Sequence, residues 1–365
     1  MQASESPGST VSRPLFSRYP GLCGKLPCIA LGTLPTPVSR MASLGTELNL
    51  PSLWLKHDDV TADDYGGNKV RKLEFLLADA IERGCNTILT FGGLGSNHAL
   101  ATSINCRRLG LRCIVILTPE PATSAVRRTL RFHQLLGTQL EIAEHYADVR
   151  ATADRVIADT GAERVYEIPF GGSSWVGAAG FVNAALELEA QIRADQLPRP
   201  DHVYVACGTA GTAAGLALGF ALAGVRTTIE AVQVTPDSVQ AGRRCADLYR
   251  EAGASLRQLD AHVGEPQADA YAVNFRRDQL GDGYAMPTPA AREAAEFMQL
   301  ESMPSSLTYT AKAMAALVAD ARAGLLKDKR VLFWNTYNSR PYPVLPDDDS
   351  WRELPGALHP VFHEK

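Results

Sequence analysis

Residues 203–223 read VYVACGTAGTAAGLALGFALA: a β-branched run, a glycine-bearing turn, then a helix of small residues. Strand, tight turn and helix in that order form the repeating unit of an α/β fold. The rhythm recurs outward from this stretch. Upstream, Ser52–His57 reads as a strand, and Val70, Leu73, Leu77 and Ala80 recur at helical spacing. Thr87–Phe91 is an apolar run followed by a helix from about Asn97, and Cys113–Leu117 precedes a helix rich in Arg and Leu. Leu140–Ala143 and Val165–Ile168 fit further strands, and Trp175–Ala194 fits a long helix. Downstream, Gly211–Ala223 is a helix and Thr228–Val234 a strand. The stretch 255–287 has weak periodicity with several Gly and Asp residues, and is expected to be irregular. The alternation predicts parallel sheets covered on both faces. The units are too many for one small sheet, so two α/β domains flanking a cleft are expected. Ligands of such sheets bind beyond the carboxyl ends of the strands, which directs attention to the turns.

The 365 residues are 45% hydrophobic and 21% charged, an ordinary globular composition. A formal net charge of −4 argues against an electrostatic nucleic-acid binder. The most apolar stretch, 203–223, is broken by Gly and Thr and does not read as a membrane span. The seven cysteines (Cys23, Cys28, Cys85, Cys106, Cys113, Cys207 and Cys245) form no CxxC pair, so no metal site is expected. They read as buried thiols of a reducing compartment. Met1–Arg13 is Ser-rich without an apolar segment, unlike a secretory signal. Residues 1–15 are expected to be a disordered leader, and the location cytoplasmic.

Three turns carry candidate chemistry. In the first, Tyr65-Gly66-Gly67-Asn68-Lys69 leads into Val70-Arg71-Lys72-Leu73-Glu74. Two glycines permit a tight turn, and Asn68 is placed to cap the helix that follows. Lys69 falls in the first helical turn, where the positive end of the dipole disfavours an ammonium. That suits a lysine that works uncharged. With a reference pKa of about 10.4, its free amine is rarer than about one in a thousand at pH 7. An aldehyde cofactor removes the difficulty by condensing with the amine as a Schiff base. A solvated lysine in a basic KVRK run is the competing reading. The second turn, Gly92-Gly93-Leu94-Gly95-Ser96-Asn97-His98, sets a hydroxyl, an amide and backbone N–H groups at a helix start. Such a start binds anions, here a substrate carboxylate, or is simply a capped helix. The third, Cys207-Gly208-Thr209-Ala210-Gly211-Thr212, offers two hydroxyls and free N–H groups to a phosphate. Hydrogen bonds to a charged group, about 1.5–3 kcal/mol each, outweigh the dipole's 0.3–1 kcal/mol or so. Neither the GxxxxGK nor the GxGxxG spacing is present.

The run GGNKVRKLEFLLADA, then SNH, then GTAGTAAGL, resembles the D-cysteine desulfhydrase and 1-aminocyclopropane-1-carboxylate (ACC) deaminase family. These are fold-type II pyridoxal-phosphate (PLP) enzymes with a tryptophan synthase β-like fold. IPFGGSSWVGAAGFVNAALELEAQI, GDGYAMPTPAAREA and LTYTAKAMAAL extend the likeness from about residue 14 to about 340. The resemblance implies two three-layer α/β/α domains, the larger from residues 16–72 and 182–365 and the smaller from 73–181, with PLP in the cleft between them. It implies Lys69 as the Schiff-base lysine and proton shuttle at Cα, with Asn68 beside the cofactor. Ser96, Asn97 and His98 become the substrate-carboxylate loop, and Gly208, Thr209, Ala210, Gly211 and Thr212 the phosphate cradle. Tyr284 and Tyr309 face the substrate, and Thr310 meets the pyridine nitrogen. The implied activity is α,β-elimination from a small amino acid, giving a 2-oxo acid and ammonia, in a homodimer. ACC deamination, elimination from another 3-substituted alanine such as an acidic one, and non-catalytic PLP binding are the alternatives.

His98 and Thr310 stand where ACC deaminases carry Gln and Glu, which is the desulfhydrase pattern. A carboxylate beside the ring nitrogen keeps it protonated, and a hydroxyl does so much less. Expulsion of a thiolate is therefore expected rather than ring opening. The chain also departs from the family. Asn335-Thr336-Tyr337-Asn338-Ser339-Arg340 replaces a His-Thr-Gly-Gly turn, and Gly95 stands where relatives carry Gln. Arg340 is either a partner for a second anionic group on the substrate or a surface arginine.

Overall fold

The computed structural model describes residues 13–266, 270–346 and 348–363. The strands are β1 (Val38–Arg40), β2 (Leu53–Lys56), β3 (Thr87–Gly93), β4 (Arg112–Thr118), β5 (Gln139–Ile142), β6 (Val165–Ile168), β7 (His202–Cys207), β8 (Thr228–Gln233), β9 (Val273–Arg276) and β10 (Val331–Trp334). The helices are α1 (Pro14–Arg18), α2 (Ala42–Glu47), α3 (Lys69–Glu82), α4 (Asn97–Leu109), α5 (Ser124–Leu135), α6 (Val149–Thr160), α7 (Trp175–Arg193), α8 (Gly211–Ala223), α9 (Ala241–Leu259), α10 (Pro289–Gln299), α11 (Thr310–Arg322) and α12 (Pro360–His363). A six-stranded sheet runs β1-β2-β10-β7-β8-β9, and a four-stranded sheet runs β5-β4-β3-β6. Every pairing is parallel except β1 with β2, where the entering chain doubles back along an edge.

Composition explains the centre of the four-stranded sheet. All seven residues of β3 are buried, as are Cys113 to Leu117 of β4, so both faces must be apolar. Gly110 and Gly224 end α4 and α8 in the left-handed conformation that glycine adopts freely. α8 is buried from Gly211 to Phe220 and apolar all round, the signature of a central helix.

The chain leaves the larger sheet through α3 and returns through α7, so residues 72–73 and 181–182 both fall inside helices. Those helices pack backbone to backbone: a Cβ on Gly180 would lie 2.7 Å from the carbonyl carbon of Arg71. A buried ionic network pins them to the larger sheet. Arg71 donates to both oxygens of Asp58 (2.9 and 2.7 Å) and both of Glu187 (3.0 and 2.9 Å). Lys56 donates to Glu187 and Gln191, each at 2.6 Å, and the Trp334 indole N–H to Asp58 at 2.7 Å.

Three expectations change. Residues 1–12 of the supposed leader lie outside the described residues, but Arg13 pairs with Glu74 and Leu15 is fully buried, so 13–15 belong to the fold. The stretch 255–287 is not wholly irregular. It holds the end of α9 and the edge strand β9, whose register on β8 (Ile229↔Val273) supplies order that local periodicity does not signal. All seven cysteines are unpaired thiols, but only Cys106, Cys113, Cys207 and Cys245 are buried; Cys28 and Cys85 are partly buried and Cys23 is exposed.

Candidate active site

The carboxyl ends of β3, β4, β7, β8 and β10 converge on a cleft of about 920 Å³. Asn68, Lys69, Ser96, Asn97, His98, Gly208, Thr209, Ala210, Gly211, Thr212, Tyr284 and Tyr309 all line it. The three turns read from sequence thus meet in one space.

Lys69 is the first residue of α3. Burial pushes its amine down to about 8. Asn68 does not cap the helix with its side chain. Its amide instead donates to Thr212 Oγ1 at 3.1 Å, tying the lysine turn to the third turn. The backbone N–H of Asn68 donates to Thr336 O, and Asn338 Oδ1 accepts from Gly66 N at 2.7 Å. The altered 335–340 loop therefore braces the Lys69 turn. Arg340 faces away from the cleft, bonded to Ala62 O and paired with Asp63, which removes it as a substrate ligand.

The third turn carries a strained residue and is braced from outside. Ala210 has a φ of 67°, a left-handed conformation costly for alanine, at the start of α8. Ser173 bridges Thr209 Oγ1 (2.7 Å) and Gly211 N (3.2 Å). Beside it sits Lys72, a residue the sequence reading did not single out. Lys72 is 1% exposed and donates to Gly171 O at 2.9 Å. A Cβ on Gly211 would come within 2.8 Å of its Nζ. Among the described residues no carboxylate acts on it, and burial together with Lys69 pushes its amine well below the usual value. A buried amine that an arriving anion would help to protonate, beside a turn of N–H and hydroxyl donors, is a fit for a phosphate. Its signal was the i, i+3 spacing from Lys69, which puts both amines on one helix face.

The second turn is more selective than its sequence suggests. Ser96 Oγ caps α4 by accepting from Ala99 N at 3.2 Å, leaving its O–H proton free. Asn97 Oδ1 accepts from Tyr65, leaving its NH₂ free. His98 differs. The Thr90 hydroxyl donates to Ile168 O (3.0 Å), so it accepts from His98 Nε2–H (2.9 Å). Nδ1 then carries a lone pair and is buried without a partner. Burial and two nearby lysines hold the ring neutral. An acceptor repels a carboxylate, so His98 does not suit the role the resemblance implied for it, whereas Ser96, Asn97 and the N–H groups opening α4 offer donors. Thr310 is 1% exposed, accepts from Ser306 N at 2.9 Å, and does not line the cleft; Thr336 does.

A lysine amine lowered to about 8, set in one cleft with a second buried lysine and two turns of N–H and hydroxyl donors, is the kind of site that suits an enzyme working through a phosphorylated aldehyde. The model of the pyridoxal-phosphate dependent enzyme family matches residues 29–336, and this chain belongs to that family. Its cofactor is PLP. The D-cysteine desulfhydrases of Salmonella schwarzengrund and Salmonella newport are each 34% identical over 302 residues, covering 80% of this chain and 88% of theirs. Among solved structures, an ACC deaminase homologue superposes with a TM-score of 0.75 at 26% identity, covering 90% of this chain and 95% of that one. A fungal L-serine ammonia-lyase from Rhizomucor miehei shares the fold, with a TM-score of 0.58 at 18% identity over 84% of this chain and 94% of that one. The fold is that of fold-type II PLP enzymes.

Proposed function

We propose that the chain catalyses α,β-elimination from a small amino acid with a leaving group on Cβ, as in D-cysteine, releasing a 2-oxo acid and ammonia. The observation that carries this reading is the Lys69 amine, lowered to about 8, set in one cleft with a carboxylate turn and a phosphate turn. Bound PLP supplies the electron sink for the pair left at Cα. Lys72 and residues 208–212 hold the cofactor's phosphate. Ser96, Asn97 and the first N–H groups of α4 orient the substrate carboxylate. Lys69 would hold the cofactor and, as a free amine, would take the Cα proton. With a pKa of about 8, roughly one amine in ten is uncharged at pH 7, against fewer than about one in a thousand for an ordinary lysine. The uncharged fraction rises as pH climbs through 8. Thr310, which follows Tyr309, does not line the cleft and so brings no carboxylate to it from that position, which favours expelling a good leaving group over opening an unactivated ring. A homodimer and a cytoplasmic location belong to the same reading. The resemblance supports the first and the seven unpaired thiols the second.

A panel of D- and L-amino acids, assayed for 2-oxo acid and ammonia, tests the proposal. D-Cysteine or another 3-substituted alanine is expected to turn over. Lys69→Ala is expected to lose both turnover and the visible absorbance of bound PLP. Ammonia release from ACC matching that from D-cysteine would overturn elimination. Absorbance without any turnover would leave a PLP-binding protein.

A further inference from the structure

Glu120 lies in the loop between β4 and α5, and the sequence reading gave it no role. Its Oε2 accepts from Gly95 N at 2.6 Å. Its carboxyl also takes a hydrogen bond from the Tyr284 side chain. The Tyr284 hydroxyl meets the Tyr309 hydroxyl, with the rings 5.9 Å apart at 73°. Tyr309 reaches the phosphate turn: a Cβ on Gly208 would lie 4.0 Å from its Cε1. Glycines make the space, since a Cβ on Gly95 would crowd Oε2 to 3.1 Å. Carboxyl, phenol and phenol thus form a row from a half-buried outer group to the cleft.

Each phenol has one proton to give, so the row has a direction. With Glu120 ionised, Tyr284 donates to it and Tyr309 donates to Tyr284, turning lone pairs toward the cleft. With Glu120 protonated, its proton goes to the Tyr284 oxygen, that of Tyr284 to Tyr309, and that of Tyr309 points into the cleft. We propose that Glu120 is a positioning residue that sets this direction, and that through the two tyrosines the protein hands a solvent proton to the group leaving Cβ. The proposal rests on the elimination reading above and deepens it. The proton balance closes. As the Cβ–X bond breaks, X departs with the bonding pair and takes the Tyr309 proton. Tyr309 recovers one from Tyr284, and Tyr284 one from Glu120. The carboxylate left behind takes a hydronium proton from solvent, and nothing is oxidised or reduced. The Cα proton goes separately to Lys69.

The surroundings suit a titrating outer end. Burial raises the Glu120 carboxyl against its two hydrogen-bond donors, and burial also raises both phenols, keeping them protonated. The other titratable groups lining the adjoining cavity of about 100 Å³ are Arg128 of α5, Tyr337 and Tyr342, and Arg128 is engaged over the Tyr342 ring at 3.9 Å.

Glu120→Gln keeps a carbonyl acceptor for Gly95 and removes the titrating proton. In wild type, kcat falls as pH rises through the Glu120 titration. In the variant that limb is expected to vanish, kcat to drop about 10²-fold, and KM to stay within about threefold. Tyr284→Phe should do the same, and the double variant no worse. Independently of turnover, the infrared carboxyl band of the cofactor-free full chain that disappears in Glu120→Gln should titrate above the usual carboxylate range. It should move higher still in Tyr284→Phe, where a donor is lost. An unchanged kcat profile in Glu120→Gln overturns the relay, as does a band titrating at the ordinary value and indifferent to Tyr284. A wild-type chain that turns over nothing in the panel defeats the elimination reading, while the infrared result still judges the relay.

Discussion

Chemistry and anchoring alternate within Lys69–Glu74. Lys69 and Lys72 face the cleft, whereas Arg71 is locked to Asp58 and Glu187, and Glu74 to Arg13 and the N–H groups of Leu31 and Gly32. The anchors fix the helix so that the two amines hold their positions. Lys72 carries a burial cost while no anion faces it, and binding a phosphate repays it. Lys72→Met is therefore expected to act in opposite directions on the two states. PLP affinity should fall about 10–100-fold, the value of one charge-assisted hydrogen bond. The cofactor-free protein should melt at a higher temperature near neutral pH, because an amine that burial and Lys69 hold well below its usual value has gone. A fluorescence titration with PLP and a melting curve without it check both arms. Lower stability of the cofactor-free variant would show that Lys72 is held for packing instead.

At the scale of elements, α7 and α8 approach as closely as backbones allow. A Cβ on Gly215 would come within 2.5 Å of the Phe181 Cβ, and one on Gly219 within 2.5 Å of the Ala185 Cβ. The spacing of Gly211, Gly215 and Gly219 makes one face of α8 flat, and its first residue belongs to the phosphate turn. Gly215→Ala therefore pushes the helix, and the turn with it. Overpacking of this kind costs about 1–3 kcal/mol, so urea unfolding should show that loss together with weaker PLP binding. Wild-type stability in the variant would mean that α8 slides without cost. The helix itself is plain in the sequence, but its glycine face is a packing fact, since the sequence does not say which helix comes alongside. β9 and β1 show the same limit. Four and three residues long, they are strands because a neighbour offers hydrogen bonds, and period-two patterning cannot declare itself over so few positions. β10, with four buried apolar residues after Lys329-Arg330, was within reach of the sequence.

Across the whole molecule, the Arg71–Asp58–Glu187–Lys56 network joins β2, α3 and α7 beneath the cleft. Its two cations and two carboxylates balance, and removing one strands the rest. Arg71 and Lys56 pull the Glu187 carboxyl down to about 2. A depressed folded-state value means stability that is fully present above the unfolded value of about 4.3 and lost as pH falls toward 2, some 3 kcal/mol in all. Glu187→Gln is expected to lower stability by about 3–5 kcal/mol at neutral pH. Wild-type and variant melting temperatures should then converge as pH drops from about 4. Curves that stay parallel would mean that Glu187 is not ionised in the fold.

By itself the sequence determined the α/β class, the parallel pairing, the PLP family and the three turns that build the cleft. These follow from local patterning and from short motifs whose residues sit next to each other. Tertiary structure alone decided that Asn68 reaches Thr212 instead of capping its helix, that His98 is locked by Thr90 as an acceptor, and that Arg340 turns outward. It also decided that Lys72 lines the cleft and that Glu120 meets Gly95 and Tyr284 beside it. Each of these depends on a partner dozens of residues away or on an atom-level hydrogen-bond direction, and a linear pattern encodes neither distance nor direction between strands it has not yet brought together.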